Sequence, residues 1–248
     1  MIMKILIHYT PRSKSTKLIS ILSKKYDLED WQEMLTRNRF QKKSHDQIPE
    51  LIKKINDADN IGVKINGNDF VDFHNRRILD CYKDIDYKSF DRIIFLTRKD
   101  YVAATLSFGY MNLSDPLTWH RRIGKEKKQV EYEISQFKIH AIARCYLMHE
   151  YVKNFIKSQV DKSKVFDYEF DTMEQNAIQD FDLTDEDFDI DITESNIDYR
   201  KLLANPNQTV QDIHNVFNRI QQVNETELND LPDFFWDHTE DPLIEAIT

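Results

Sequence analysis

The sequence is poor in cysteine, proline and glycine. Its 248 residues include 2 cysteines, 6 prolines and 4 glycines. Two cysteines, Cys81 and Cys145, are too few for a disulfide framework or a thiolate metal site, which indicates a reducing compartment. No apolar run approaches the roughly 18 residues of a membrane helix, and the N-terminus leads directly into a strand pattern rather than a signal peptide. We therefore expect a soluble, cytoplasmic protein with no membrane partner.

Glycine is also missing from the first turn of the chain. An apolar strand pattern over residues 4–9 runs into the basic, hydroxyl-rich residues 10–15, and apolar residues then continue at helical spacing. The first N–H groups of a helix lack partners and its macrodipole is positive there, so this turn favours an anion. A Walker A loop requires glycine, which argues against a standard ATP or GTP hydrolase. The alternative is an ordinary strand-turn-helix with Ser13 or Ser15 as N-cap.

Charge is divided unevenly along the chain. Residues 1–164 carry 31 Lys and Arg against 21 Asp and Glu, a net +10, whereas residues 165–248 carry 3 against 22, a net −19. The basic part suits a small polyanion, and the acidic part argues against broad nucleic-acid binding. Residues 165–199 contain 13 acids but no glycine for a calcium loop. We therefore predict a solvated acidic face over partly buried apolar residues, and no metal.

Strand patterns alternate with helix patterns. The strands are expected at 4–9, 61–65, 91–97 and 164–168, and the helices after Ser15, at 47–58 and 76–88, from Asp100, at 130–157 and at 207–223. This alternation predicts an α/β three-layer sandwich, in which a central, mostly parallel sheet is flanked by helices. We expect one domain, with an α/β core over 1–172 and an acidic, mostly helical C-terminal extension over 173–248.

The turn TPRSKST, residues 10–16, resembles the 5′-phosphosulfate loop of sulfotransferases that use 3′-phosphoadenosine 5′-phosphosulfate (PAPS). In that family a Pro-Arg/Lys-Ser-Gly-Ser/Thr-Thr sequence opens the helix of a P-loop nucleotide-kinase-like fold. The resemblance implies that Arg12 contacts the sulfuryl and 5′-phosphate oxygens. It also implies that the rest of the loop binds the nucleotide: Pro11, Ser13, Lys14, Ser15 and Thr16. Lys14 stands where the family has glycine, which can adopt positive φ without strain.

A second family element follows the third strand. The segment RIIFLTRKDYVAATLS, residues 92–107, is similar to the 3′-phosphate site, with Arg98 as the bidentate charge and Ser107, or else Thr105, as the hydroxyl. The spacing is that of trehalose sulfotransferase-like proteins, which TWHRR (118–122) and KVFDYEF (164–170) also resemble. The resemblance covers about residues 4–172. The alternative is an Arg98 paired with Asp100 and a Ser107 that faces solvent.

Sulfuryl transfer requires a base for the acceptor hydroxyl and cations around the transferred group. The resemblance implies Glu29 as the base, with Glu33 one turn beyond, or His74 if the cytosolic relatives are followed. Lys64 corresponds to a catalytic strand lysine of some relatives, although a solvent-facing lysine is equally consistent with the pattern. His120 either reaches the ligands or forms an exposed basic edge.

The function that the resemblance implies is transfer of a sulfuryl group from PAPS to a hydroxyl of a small-molecule or carbohydrate acceptor. The product of the donor is 3′-phosphoadenosine 5′-phosphate (PAP), and no metal or nucleic acid is needed. Two alternatives remain: a P-loop-like kinase that uses ATP and magnesium, and a degenerate nucleotide-binding or interaction module in which Lys14 blocks the site. The sequence does not indicate an oligomeric state.

Overall fold

The computed structural model describes residues 3–32, 35, 48–72, 77–111, 133–189 and 198–223. Over these residues the strands are β1 Lys4–Tyr9, β2 Glu29–Gln32, β3 Ile61–Asn66, β4 Val71–Asp72, β5 Arg77–Ile78, β6 Arg92–Thr97 and β7 Val165–Glu169. The α-helices are α1 Ser15–Tyr26, α2 Ile48–Asp57, α3 Tyr101–Met111, α4 Gln136–Gln159, α5 Met173–Phe181, α6 Asp185–Phe188 and α7 Pro206–Ile220. Short 3-10 helices cover Gly67–Phe70, Asp80–Asp84, Tyr87–Ser89, Lys162–Lys164 and Tyr199–Leu202.

Five strands form one parallel sheet in the order β2-β3-β1-β6-β7, and β4 pairs with β5 in a separate antiparallel ribbon. Tyr9, the last residue of β1, pairs with Asn66 of β3 and Leu96 of β6, and Thr97 pairs with Glu169. The residues that follow β1, β3, β6 and β7 therefore meet at one edge of the sheet, its carboxyl edge.

Helices cover both faces of this sheet. On one face α1, α5 and α6 pack over alternate residues of β1, such as Ile5 and Ile7. On the other face α2, α3, α4 and α7 pack over Leu6 and the apolar residues of β3. β1 is buried along its whole length, as expected for a central parallel strand. The prediction of an α/β three-layer sandwich is confirmed.

Most of the predicted elements are present, with shifted ends. The four apolar strand patterns correspond to β1, β3, β6 and β7, and the helix patterns after Ser15 and Asp100 correspond to α1 and α3. The long helix expected from residue 130 begins instead at Gln136, after Ser135 in an extended conformation. β2 was not predicted: the sequence analysis expects no strand at residues 29–32, but Glu29 begins an edge strand.

The helix predicted over residues 76–88 is wrong. The described part of this segment contains the short strand β5 and two 3-10 helices, Asp80–Asp84 and Tyr87–Ser89. Two apolar residues of this segment at helical spacing, Tyr82 and Ile85, are nonetheless buried. A spacing of three residues between buried side chains fits a 3-10 turn as well as an α-helix, so the pattern identified the buried side chains but not the backbone.

Within the described ranges, no helix is both long enough and apolar enough to cross a membrane.

Candidate anion-binding site

The loop between β1 and α1 has an unusual backbone. Arg12 and Lys14 both have positive φ, 62° and 64°, and Lys14 is the N-cap of α1 with φ 64° and ψ 18°. Lys14 thus adopts the left-handed conformation that the glycine of the resembled loop allows. No side chain caps the helix, so neither Ser13 nor Ser15 is the N-cap that the alternative interpretation required.

Several polar groups of this loop have no hydrogen-bond partner in the described part of the chain. Among the described residues, none accepts a hydrogen bond from the backbone N–H groups of Ser13, Ser15, Thr16 or Lys17. Ser13 is 1% exposed, and its buried hydroxyl has no hydrogen-bond partner in the described part of the chain. Consecutive N–H groups in a loop with left-handed residues form a concave anion site, and they lie here at a helix N-terminus.

Arg98 lies beside this loop, and hydrogen bonds of its backbone fix its position. Its N–H donates to Thr10 Oγ1 at 2.9 Å, and its carbonyl accepts from the Tyr146 hydroxyl at 2.6 Å. The guanidinium stacks 4.4 Å from the centre of the Phe170 ring, and Nη1 donates to the Arg12 carbonyl at 3.2 Å. Arg98 Nε is buried and has no hydrogen-bond partner among the described residues. The first residue after β6 is therefore fixed against the loop that follows β1.

Arg12 joins the loop to α3. Its Nε donates to Ser107 Oγ at 2.9 Å, and Ser107 is 3% exposed. Burial lowers the pKa of the half-buried Arg12 guanidinium; Tyr199 opposes this effect and the nearby Arg98 charge adds to it. An arginine remains charged in spite of such a shift. The two elements of the sequence resemblance therefore touch through the Arg12–Ser107 hydrogen bond.

Neither guanidinium pairs with an acidic side chain among the described residues. In the part of the chain that the structure describes, no carboxylate lies within ion-pair distance of Arg12 or Arg98. Asp100, the alternative partner of Arg98, accepts instead from the backbone N–H of Ala103. Two neighbouring, half-buried cations without a counter-charge are costly, because buried charges are normally paired. An anionic ligand would supply that counter-charge.

Lys64 also reaches the loop. It lies on β3, is 2% exposed, and donates from Nζ to Thr16 Oγ1 at 2.6 Å. The ammonium group lies 5.2 Å from the centre of the Tyr9 ring. The solvent-facing alternative for this strand lysine is thus wrong. Pro11 is half-buried between Thr10 and Arg12. Thr105, the alternative to Ser107, is buried and donates to the Tyr101 carbonyl of its own helix.

The structure does not bring Glu29 to this site. Glu29 pairs with Ile61, the first residue of β3, and Ile61 pairs with Lys4, the first residue of β1. Glu29 therefore lies at the amino edge of the sheet, about 16 Å along β1 from the residue that precedes the loop. Its exposed carboxylate accepts from Trp31 Nε1 at 2.9 Å. The other candidates for base or ligand contact, Glu33, His74 and His120, lie outside the described residues.

Residues that the sequence interpretation did not select complete the site. Phe170 follows β7 directly, as Arg98 follows β6, and its N–H donates to the Thr97 carbonyl at 2.9 Å. Its place after a strand of the parallel sheet is a signal that could have identified it. Tyr146 lies in the middle of α4, where nothing in the local sequence indicates its contact with Arg98.

The described residues contain no group of three or more side chains suited to holding a metal ion. Comparisons of the chain with known protein families, with curated proteins and with solved structures each found no match.

Proposed function

We propose that this protein is a sulfotransferase that transfers a sulfuryl group from PAPS to a hydroxyl of a small-molecule or carbohydrate acceptor. The observation that carries the proposal is the pair Arg12 and Arg98. Among the described residues, these adjacent guanidiniums have no carboxylate partner, and the N–H groups of the helix N-terminus beside them have no acceptor. PAPS carries phosphate at both its 3′ and 5′ ends. Arg12 and the loop suit the phosphosulfate end, and Arg98 and Ser107 suit the 3′-phosphate.

In the proposed reaction the acceptor oxygen attacks sulfur, and the bond between sulfur and the 5′-phosphate oxygen breaks. The electron pair of that bond stays on the phosphate oxygen, which leaves as PAP, and the hydroxyl proton passes to a base. Arg12 stabilises the charge that develops on the leaving oxygen, with Lys64 orienting Thr16 and adding a second cation. A base must approach the hydroxyl within hydrogen-bond distance. Glu29, at the opposite edge of the sheet, does not meet this requirement, so we assign the role to His74 or Glu33.

Thermal unfolding with and without PAP tests the proposal. A ligand that binds only the folded protein adds about 2.7 kcal/mol of stability at a hundredfold excess over its dissociation constant. For a chain of this size, 1 kcal/mol raises the midpoint by roughly 2 to 4 °C. We expect PAP to raise the midpoint and ATP with magnesium to have less effect. No shift with PAP would exclude the sulfotransferase, whereas a shift with ATP and magnesium alone would favour a kinase.

Arginine variants locate the binding. Arg12→Ala and Arg98→Ala should each abolish the PAP-induced shift with little change in the unliganded midpoint. Arg92→Ala is the matched control. Arg92 begins β6, the strand that Arg98 follows, so it lies at the opposite edge of the sheet. Its guanidinium stacks 5.7 Å from the Phe166 ring. A normal shift in either of the first two variants would remove that arginine from the site. Transfer of labelled sulfuryl to a panel of hydroxyl acceptors then tests the reaction itself.

A further inference from the structure

One carboxylate does contact the anion-binding loop, and it comes from the acidic C-terminal part of the chain. Glu174, in the first turn of α5, places Oε1 3.5 Å from Lys14 Nζ and 3.1 Å from Lys17 Nζ. Lys14 is the N-cap of α1, and Lys17 follows in its first turn. A single carboxylate therefore pairs with both lysines at the start of the helix whose N-terminus forms the candidate site.

The electrostatics of Glu174 are those of a paired anion. Burial raises the pKa of its carboxyl group, but hydrogen bonds and charge from Lys17 and Lys14 outweigh burial, so the pKa is lowered overall. The Glu174 side chain is 38% exposed, whereas those of Lys14 and Lys17 are 21% and 11% exposed. Glu174 remains ionised at neutral pH and neutralises part of the positive charge of the loop.

The same contacts place Glu174 beside the other cations of the site. Lys14 Nζ lies 4.8 Å from the centre of the Phe170 ring, and Arg98 stacks on that ring at 4.4 Å. A phosphate bound at the loop would approach Lys14, and it would then share that lysine with the Glu174 carboxylate. A phosphate and a carboxylate that both contact Lys14 repel each other, so the ligand and Glu174 compete.

We propose that Glu174 is an internal counter-anion of the loop, which competes with bound phosphate for Lys14 and Lys17 and so sets the affinity of the site for anions. The inference rests on the proposed function, because it names the residue that tunes ligand affinity at the same site. It explains why, over the ranges that the structure describes, Lys14 and Lys17 have an acidic partner while Arg12 and Arg98 do not. Glu174 partly neutralises the lysine charges, and the anionic ligand would neutralise the arginine charges.

Glu174→Gln tests the inference, because it removes the charge and keeps the size of the side chain. Calorimetric titration with PAP should show binding about three- to tenfold tighter than in the wild type, the range expected from partly exposed ion pairs. The gain should shrink at about 0.5 M salt, where such pairs are screened. Glu169→Gln is the matched control: Glu169 ends β7 at the same edge of the sheet but pairs with Lys99. Its affinity for PAP should stay within about twofold of the wild type.

Titration with pyrophosphate separates this inference from the proposed function. If the wild type binds PAP and Glu174→Gln binds it no more tightly, or if Glu169→Gln gives the same gain, the counter-anion role is wrong and the proposed function stands. If no protein binds PAP but Glu174→Gln alone binds pyrophosphate more tightly than the wild type, the proposed function is wrong and the counter-anion role stands. If neither PAP nor pyrophosphate binds any of the three proteins, both are wrong.

Discussion

Arg12 and Lys14 hold left-handed backbone conformations that usually require glycine. For other residues this conformation costs about 1 to 2 kcal/mol. The surrounding hydrogen bonds keep the loop in place, since Thr10 N–H donates to the Leu96 carbonyl and Arg98 donates to the Arg12 carbonyl. Backbone strain of this kind is concentrated at functional sites, where the geometry of the N–H groups matters more than local stability.

Replacing Lys14 with glycine tests how much strain the loop stores. Lys14→Gly removes the left-handed penalty but also removes the ion pair with Glu174, which is worth at most about 1 kcal/mol at a partly exposed site. We expect the free energy of unfolding, measured with urea, to stay the same or rise by up to about 1 kcal/mol.

Lys54→Gly is the matched control for this variant. Lys54 also pairs with a glutamate, Glu50, at 3.1 Å, but it lies inside helix α2. Glycine there should cost about 1 kcal/mol of stability, because it loosens a regular helix. Equal losses in the two variants would show that the left-handed conformation at Lys14 carries no strain.

Residue positions were predictable only where the chain supplies a local signal. Arg12 and Arg98 each follow an apolar strand closely, and the residues that follow parallel strands meet at one edge. Their proximity could therefore be predicted. Glu29 could not be placed, because its distance from the loop depends on the pairing of β2 with β3, and register is not visible in a single sequence.

Three secondary-structure elements meet at a buried pair of histidines. His8 of β1 and His149 of α4 place their Nδ1 atoms 2.8 Å apart, and His149 Nε2 lies 3.0 Å from Thr97 Oγ1 of β6. One imidazole must donate and the other accept, so at least one of the two rings is neutral. Burial, followed by the charge of Lys153, lowers the pKa of His8 to about 3. Burial and the neighbouring His8 and Lys153 also lower the pKa of His149 well below its usual value.

This pair predicts a loss of stability in mild acid. In the unfolded chain a histidine takes up a proton below about pH 6.5, whereas His8 in the folded protein does so only near pH 3. Because the unfolded state binds more protons between these values, stability falls as the pH is lowered. From pH 6.5 to pH 5 the free energy of unfolding should drop by about 2 kcal/mol for His8 alone. Urea denaturation at a series of pH values measures the slope.

Histidine variants identify the source of that slope. His8→Leu with His149→Leu removes both titrating groups and should flatten the curve between about pH 6.5 and pH 5. His140→Gln removes another histidine of α4 and should keep the wild-type slope. A slope unchanged in the double variant would assign the acid sensitivity to other groups.

The strands that the sequence predicted are apolar, whereas β2, which was missed, is polar. β1, β3 and β6 are apolar runs buried in the sheet, and their composition alone indicated them. β2 reads EDWQ and lies at an edge of the sheet, with its first two residues exposed, so no apolar pattern marks it. Its place in the sheet comes from hydrogen bonds to β3, which composition does not encode.

At the scale of the whole molecule, the described helices of the acidic C-terminal part lie on both faces of the sheet. α5 and α6 pack beside α1, where Lys25 Nζ donates to the Asp182 carbonyl and the Tyr26 hydroxyl donates to the Phe181 carbonyl, each at 2.8 Å. α7 packs on the other face, against α4. These contacts bring acidic helices against the basic N-terminal part of the chain, which favours their attachment. Glu174 belongs to this contact as well as to the anion site.

Because helices on both faces pack on one sheet, we predict that a core substitution in either helical layer destabilises the whole structure. Phe217 of α7 is 2% exposed and stacks 4.1 Å from the Tyr101 ring, and Phe181 of α5 is also 2% exposed, 5.5 Å from the Phe166 ring. Phe217→Ala and Phe181→Ala should each lower the free energy of unfolding by about 3 to 5 kcal/mol. The exposed helix positions Gln211 and Gln175 provide alanine controls, which should change it by less than about 0.5 kcal/mol.

Because both faces share one sheet, urea transitions followed by circular dichroism and by tryptophan fluorescence should coincide in both phenylalanine variants. Each variant should shift the common midpoint without splitting the transition, since the strands cannot keep their pairing once one helical layer has left. Two separate transitions in Phe217→Ala, with only the first shifted, would show that α7 unfolds independently of the sheet. In that case the helical layer over β3 and β6 would form its own cooperative unit.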